Sequence, residues 1–524
     1  MRSSKPGCSP KRAETRLRFT VLLALSLPAV IAPSAFRQSV VSPEVRAFFA
    51  STGDAVSARL WIFFKDKGLA SPSERDEALA LASRDLNARC AWRRGKVRDQ
   101  AYLVDEADLA LSPTYLEKVG GQVTKVRAVS RWLNAASVEA TGRELKALER
   151  NSFIRSIDLV ASFERDEPLP LSAATSSRAR TSVQDPRTDY GPSQAQLEQI
   201  GVLPLHDLGY SGLGVIVGML DTGFRKSHQA FRNAKLLAEW DFVNGDGDVQ
   251  QDLSDPNDYS DAHGTGTWSV LGGFRPGQLF GPAYGADFLL AKTETVSFER
   301  PIEEDYWVAG IEWAESLGAE VVSSSLGYTD WYTFADMDGR TAVTTRAADR
   351  AVRLGVVVVN AAGNERDEPW DHVIAPADGF GVIAVGAVDA GGRIAPFSSP
   401  GPTFDGRTKP EVCALGVDDW MAANGADGTD TYRRASGTSF ATPLVAGAVA
   451  LILEAHRDWT PRRVRSTLLA TADRNLRPDN NYGWGIIDAA SAVLGDPKRK
   501  RGPLRLKKRQ ERLRVPSAAG DLRD

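Results

Sequence analysis

Four short apolar runs constrain this chain more than any other feature: VIVGML from Val215 to Leu220, VVSSSL from Val321 to Leu326, VVVVN from Val356 to Asn360 and VIAVGAV from Val382 to Val388. Each is too short for a buried helix and lacks the polar alternation of a half-exposed strand. They therefore read as strands covered on both faces. Segments with helical character separate them, which predicts an α/β unit with a parallel sheet flanked by helices over about residues 191–495. Ahead of it, residues 36–165 mix short apolar runs with helical stretches and read as a small α+β unit. The apolar runs lie at Trp61 to Phe64, from Gln122 and from Arg131 to Val138; Gly142 to Arg150 reads as a helix, and Phe153 to Val160 alternates as a strand would. Residues 166–190, rich in Ser, Thr, Pro and Arg, read as an exposed linker open to proteolysis.

The two ends differ from the rest. Arg2, Lys5, Lys11, Arg12, Arg16 and Arg18 precede an apolar run from Phe19 to Ile31, with small residues near Ser34 and Ala35. That is the architecture of a secretory signal peptide over residues 1–35. Pro28 interrupts the run, which falls short of the roughly 20 apolar residues that span a bilayer. No later segment is expected to form a stable membrane span. Residues 496–524 form a basic tail: Lys498 to Arg514 carry ten Lys or Arg against Glu511 alone, the pattern of a solvated segment. A net charge of −3 gives no electrostatic reason to expect nucleic acid as a partner. Of the three cysteines, Cys8 falls before the signal run, so Cys90 and Cys413 imply no disulfide framework or cysteine metal site.

Acyl transfer through an alcohol needs a nucleophile, a base and donors for the oxyanion. Ser439 lies in GTSFATP, just ahead of the apolar helical run LVAGAVALILEAH, where a helix dipole favours developing negative charge. Among the five histidines, His263 in DAHGTGTWSV has glycines that would open a helix beside a cleft. Asp221 directly follows the run VIVGML, at the carboxyl end of a strand, where open α/β sheets bind ligands. It would hold the imidazole in one tautomer and stabilise the imidazolium. Asn364, in NAAGNE after another strand, offers a side-chain amide to the oxyanion beside the Ser439 N–H.

LDTGF around Asp221, AHGTG around His263, SSLG from Ser324 to Gly327, AAGNE around Asn364 and GTSFATP around Ser439 resemble the motif set of the subtilases, and they occur in that family's order of Asp, His, Ser. The resemblance covers about Ser211 to Ala492. It implies a subtilisin-like three-layer fold and a secreted serine endopeptidase acting through an acyl-enzyme on Ser439. It further implies that Ser325, Leu326 and Gly327, with Ala361, Ala362 and Gly363, bind the substrate backbone and wall the P1 pocket. Residues 36–165 would be an inhibitory prosegment removed by self-maturation within the linker. The implied partners are polypeptide substrates and this prosegment, and the expected state is a monomer.

Two departures stand out. Gly266 occupies the place of the family's usual second histidine after HGT, and Trp268 stands where a small residue is common. In KPEVCALG, Leu415 replaces the family's proline, and Cys413 reads as a small buried residue. The chemistry calls for no cofactor. Calcium is the candidate structural ion, because Asp246, Asp248 and Asp252 in NGDGDVQQD could supply oxygens, but the spacing is not that of an EF-hand and a solvated acidic loop fits equally. Three readings compete with this one: a sedolisin-like enzyme, against which His263 argues; a binding protein keeping the fold without turnover, against which all four catalytic groups argue; and a transpeptidase sharing the acyl-enzyme.

Overall fold

The computed structural model describes residues 39–160, 162–163, 189–250, 261–294, 302–329, 332–424 and 429–495. The expected signal peptide, the basic tail and nearly all of the linker with its maturation site lie outside the described residues.

The N-terminal unit runs α1 (Pro43–Thr52), β1 (Ser57–Phe64), α2 (Pro72–Arg84), α3 (Ala88–Arg94), α4 (Pro113–Gly120), β2 (Lys125–Ser130), β3 (Ala135–Thr141), α5 (Gly142–Leu148) and β4 (Ile154–Leu159). Its antiparallel sheet has the order β2-β3-β1-β4, a ferredoxin-like arrangement. Thr141 begins α5 through a reciprocal bond with Glu144, which satisfies two backbone donors that the first turn leaves open. In β1 successive side chains take opposite faces. Leu60, Ile62 and Phe64 close a core of the unit's own, while Trp61 and Phe63 join the core of the following domain.

That domain is built on seven parallel strands: β5 (Ile216–Asp221), β6 (Lys235–Asp241), β7 (Asp287–Lys292), β8 (Val321–Ser324), β9 (Val357–Ala361), β10 (Ile383–Val388) and β11 (Val412–Leu415). Their order is β11-β10-β9-β8-β5-β7-β6. From β5 the chain crosses to β6 at one edge and returns to β7 beside β5, whereas from β8 it winds outward strand by strand to β11 at the other edge, so the topological switch lies between β5 and β8. Alternation sorts the strand residues between two cores. Val217, Met219, Val357 and Val359 face the helices α6 (Asp261–Gly272) and α9 (Thr438–Ala455). Ile216, Leu220, Val322 and Val358 face α7 (Glu304–Ser316) and α8 (Val343–Arg353). The expected α/β sandwich is therefore present, and all four runs read as strands do form strands of the sheet.

Helix α9 is long and apolar enough by composition to cross a membrane. Its residues Thr438 to Leu453 are buried in the domain core, which accounts for their apolar character. Cys90 and Cys413 are both buried free thiols, and burial pushes the Cys413 thiol well up, out of nucleophilic range.

Candidate active site

The carboxyl ends of β5, β8 and β9 carry most of the residues singled out in the sequence. Asp221 is the last residue of β5 and is 1% exposed. Two residues on, Gly223 passes so close to the start of α6 that a Cβ on Gly264 would stand 2.0 Å from the Gly223 carbonyl oxygen. Only a glycine at 264 permits this backbone approach. The approach brings His263, in the first turn of α6, onto Asp221: its Nδ1 lies 2.6 Å from Asp221 Oδ1. The Thr222 N–H donates to the same oxygen at 2.8 Å, and Thr267 Oγ1, one turn after His263, donates to Oδ2 at 2.9 Å. Burial alone would raise the Asp221 carboxyl. The His263 charge and these hydrogen bonds more than offset it, and the group is held below the ordinary carboxylate range.

Ser439 is the second residue of α9, on the same side of the sheet as α6, and its neighbour Phe440 has its ring 5.9 Å from the His263 ring. Gly437, just before the helix, has φ +149°, a conformation that side-chain-bearing residues rarely adopt. Ser439 is tied to the end of β8 in both directions. Its hydroxyl donates to the Ser325 carbonyl at 3.3 Å, and the Ser325 hydroxyl donates to the Ser439 carbonyl at 2.8 Å.

Asn364 follows β9, and its Oδ1 accepts from the Thr438 N–H at 2.9 Å and from Thr438 Oγ1 at 3.0 Å. These two bonds fix the amide orientation and leave Nδ2 directed past Gly437, where a Cβ would lie 3.7 Å from it. Ser325, Leu326 and Gly327 continue from β8, and Ala361, Ala362 and Gly363 end or follow β9. The two segments are joined below by the buried Asn360, whose Nδ2 donates to the Leu326 and Ala361 carbonyls at 3.0 and 2.9 Å. Both glycines abut Ile374: a Cβ on Gly327 would fall 2.1 Å from its Cδ1, and one on Gly363 would fall 3.2 Å away.

Sequence reasoning did not identify Thr267 or Thr438, whose side chains support the site. Thr267 could have been found from its spacing, four residues after His263 on one helix face. Gly266 is explained by its surroundings: a Cβ there would meet Met421 Sδ at 2.6 Å and the Phe440 ring at 3.4 Å. Trp268 is buried and stacks on Phe231 with ring centroids 3.6 Å apart. In the acidic loop, the Asp246 carboxylate accepts the Asp248 N–H at 2.9 Å, and Asp248 takes Lys226 Nζ at 3.3 Å. Asp252 lies outside the described residues, and among the described residues no cluster of three His, Cys, Asp or Glu side chains is arranged to hold a metal ion.

A buried carboxylate, an imidazole clamped to it and a serine at a helix start, gathered at the switch point of a parallel sheet, define the layout of a serine hydrolase. Comparison with known proteins narrows it. Residues 212–485 match the subtilase family, Peptidase S8, and residues 59–178 match the Peptidase S8 propeptide domain of Bacteroidota. Subtilisin E of Bacillus subtilis is 33% identical over 299 residues, 57% of this chain and 70% of that protein. Fervidolysin of Fervidobacterium pennivorans is 28% identical over 441 residues, 76% of this chain and 60% of that protein. The crystal structure of fervidolysin, described as a keratinolytic enzyme related to subtilisin, superposes with a TM-score of 0.58 at 22% identity. That alignment covers 84% of this chain and 61% of the fervidolysin chain, and supports the fold. The chain belongs to the subtilase family of serine proteases and carries that family's propeptide.

Proposed function

We propose that this protein is a secreted serine endopeptidase that matures itself, with Ser439 as nucleophile, His263 as general base and acid, Asp221 as the orienting carboxylate and Asn364 as an oxyanion donor. The observation that carries the reading is the 2.6 Å bond between His263 Nδ1 and an Asp221 carboxylate that Thr222 and Thr267 hold in place. With Nδ1–H donated to Asp221, Nε2 is left as the acceptor for the Ser439 proton. Attack of Ser439 Oγ on the scissile carbonyl then builds negative charge on the carbonyl oxygen. Asn364 Nδ2 and the Ser439 N–H at the start of α9 would receive it. His263 returns the proton to the leaving amine, and water resolves the acyl-enzyme by the same route.

Peptide recognition is assigned to Ser325, Leu326 and Gly327 on one side and Ala361, Ala362 and Gly363 on the other. The flat, glycine-containing backbone at these strand ends suits an extended peptide paired through main-chain hydrogen bonds. An apolar P1 residue fits their uncharged side chains, of which only Leu326 is large. Residues 36–165 are assigned as the inhibitory prosegment. Supporting this, Ser162–Phe163 pair antiparallel with Ile302–Glu303 immediately before α7, as a peptide adding a strand would. Cleavage would then fall between about Phe163 and Tyr190. Secretion is supported by the signal-like residues 1–35 and by the propeptide match.

Casein hydrolysis by the purified chain beside Ser439→Ala, with intact masses of both, tests the assignment. Hydrolysis and loss of the residues up to the linker in the wild type alone are expected. Equal processing of both would mean that another protease activates the chain, and equal hydrolysis would remove Ser439 from the mechanism.

A further inference from the structure

The N-terminal unit is anchored to the protease domain by arginine, and most of what receives the arginine belongs to the protease domain. Arg93 is fully buried. Its Nε donates to the Leu354 carbonyl at 3.1 Å, and its Nη1 to the Glu315 and Ala319 carbonyls at 3.1 and 2.6 Å. Its Nη2 donates to the Glu315 carboxylate. These acceptors form a socket fitted to one guanidinium. Glu315 and Ala319 lie at the carboxyl end of α7 and Leu354 at that of α8, where the helix dipoles add negative potential. Arg94 binds the same carboxylate at 2.9 Å, and Arg127 binds Asp305 at 2.9 Å. Arg350 on α8 faces the other way, toward Asp105 and Asp108 of the N-terminal unit. The acidic stripe is thus carried by α7 and by Glu320, which follows it.

When the prosegment leaves, its arginines leave with it. Asp305, Glu312, Glu315 and Glu320 then share one face with a socket that has lost its cation. This chain has a second source of guanidinium groups, and it begins next to that face. The described residues end at Gly495, and the Val493 carbonyl lies 2.8 Å from His456 Nε2. The next residue, Arg457, bonds Glu320 at 2.9 Å, on the same carboxylate oxygen that prosegment Arg89 holds at 2.7 Å. Lys498 to Arg501 follow Gly495 within a reach of about 20 Å, at roughly 3.3 Å per extended residue, and Arg505, Arg509, Arg512 and Arg514 extend it further. Tethering gives these residues an effective concentration on the order of millimolar.

We propose that the basic C-terminal tail docks on the α7 face of the mature enzyme, with one of its arginines in the socket that Arg93 fills in the precursor. The tail would thereby cover the face from which the prosegment departs. The proposal rests on the reading that the prosegment is shed.

Zero-length carbodiimide coupling of the full-length processed enzyme tests it, because the tail also carries Lys498, Lys500, Lys507 and Lys508. Intact mass first establishes whether the prosegment has gone. The expected result is amide links from these lysines to Glu312, Glu315 or Glu320. Their yield should fall at least tenfold when Arg499, Arg501, Arg505 and Arg509 are changed to Gln with the lysines kept. A similar fall is expected in the unprocessed Ser439→Ala chain, where the prosegment still occupies the face. Processed enzyme without those links, or with equal yields in all three proteins, would overturn the tail proposal and leave the maturation reading standing. A wild-type mass that retains the prosegment would sink both.

Discussion

Glu312 lies in the interface between the N-terminal unit and α7, and it should make prosegment retention depend on pH. Burial pushes its carboxyl from 4.5 up to about 7, against the bonds it receives from Ser130 Oγ and from the Arg131 and Trp132 N–H groups, and against the Arg131 guanidinium at 3.5 Å. In the separated protease domain the group would return to its ordinary value. The bound state therefore holds this proton more tightly. Its contribution to retention is complete below pH 4.5 and is lost as pH rises through about 7. A shift of this size corresponds to about 3 kcal/mol, of which about 2.5 kcal/mol is expressed between pH 8 and pH 5, roughly seventyfold. The assay holds freshly cleaved enzyme at each pH and then reads peptide hydrolysis at one fixed pH, so that only prosegment departure varies. Departure should slow by up to that factor from pH 8 to pH 5 in the wild type. In Glu312→Gln it should vary less than about threefold, because the titrating group is gone. An unchanged slope in the Gln variant would refute the assignment.

Asn364→Ala should lower kcat by about 10²–10³ with KM little changed, the loss reported for removing such a donor in subtilisin, and steady-state kinetics on a peptide substrate read it directly. Thr267→Val removes a donor to the Asp221 carboxylate, a bond to a charged group worth about 1.5–3 kcal/mol. A fall in kcat of about tenfold or more is expected while processing still occurs, and wild-type kcat would show that Thr267 is not a support. Gly266→His, which restores the family's usual residue, must displace Met421 and Phe440. Calorimetry should find a loss of about 1–3 kcal/mol and a lower Tm, with an unchanged Tm contradicting the packing argument.

The four buried runs disclosed the sheet because parallel strands covered on both faces carry apolar residues at nearly every position. The candidate site drew notice for a related reason: Asp221, His263, Asn364 and Ser439, the residues proposed for it, sit at or just beyond strand or helix ends, beside glycines whose absent side chains allow close backbone approach. What joins the two units was not legible. Nothing in the sequence marks the adjacent arginines Arg93 and Arg94 as buried, since arginine is seldom buried without a partner, and the partner Glu315 is 222 residues away from Arg93. Nor did the run at Trp61 to Phe64 reveal that its strand serves two cores, because alternating faces are indistinguishable when both are apolar. The missing second histidine at position 266 found its explanation only in three dimensions, where Met421, from a distant hairpin, fills the space.

Covalent labelling tests the central claim most directly. The processed enzyme is treated with a fluorophosphonate, digested and mapped by mass spectrometry. The account predicts one modified residue, Ser439, and loss of peptide hydrolysis in proportion to the label incorporated. Hydrolysis that survives complete labelling, or a label carried on any other serine, would contradict it.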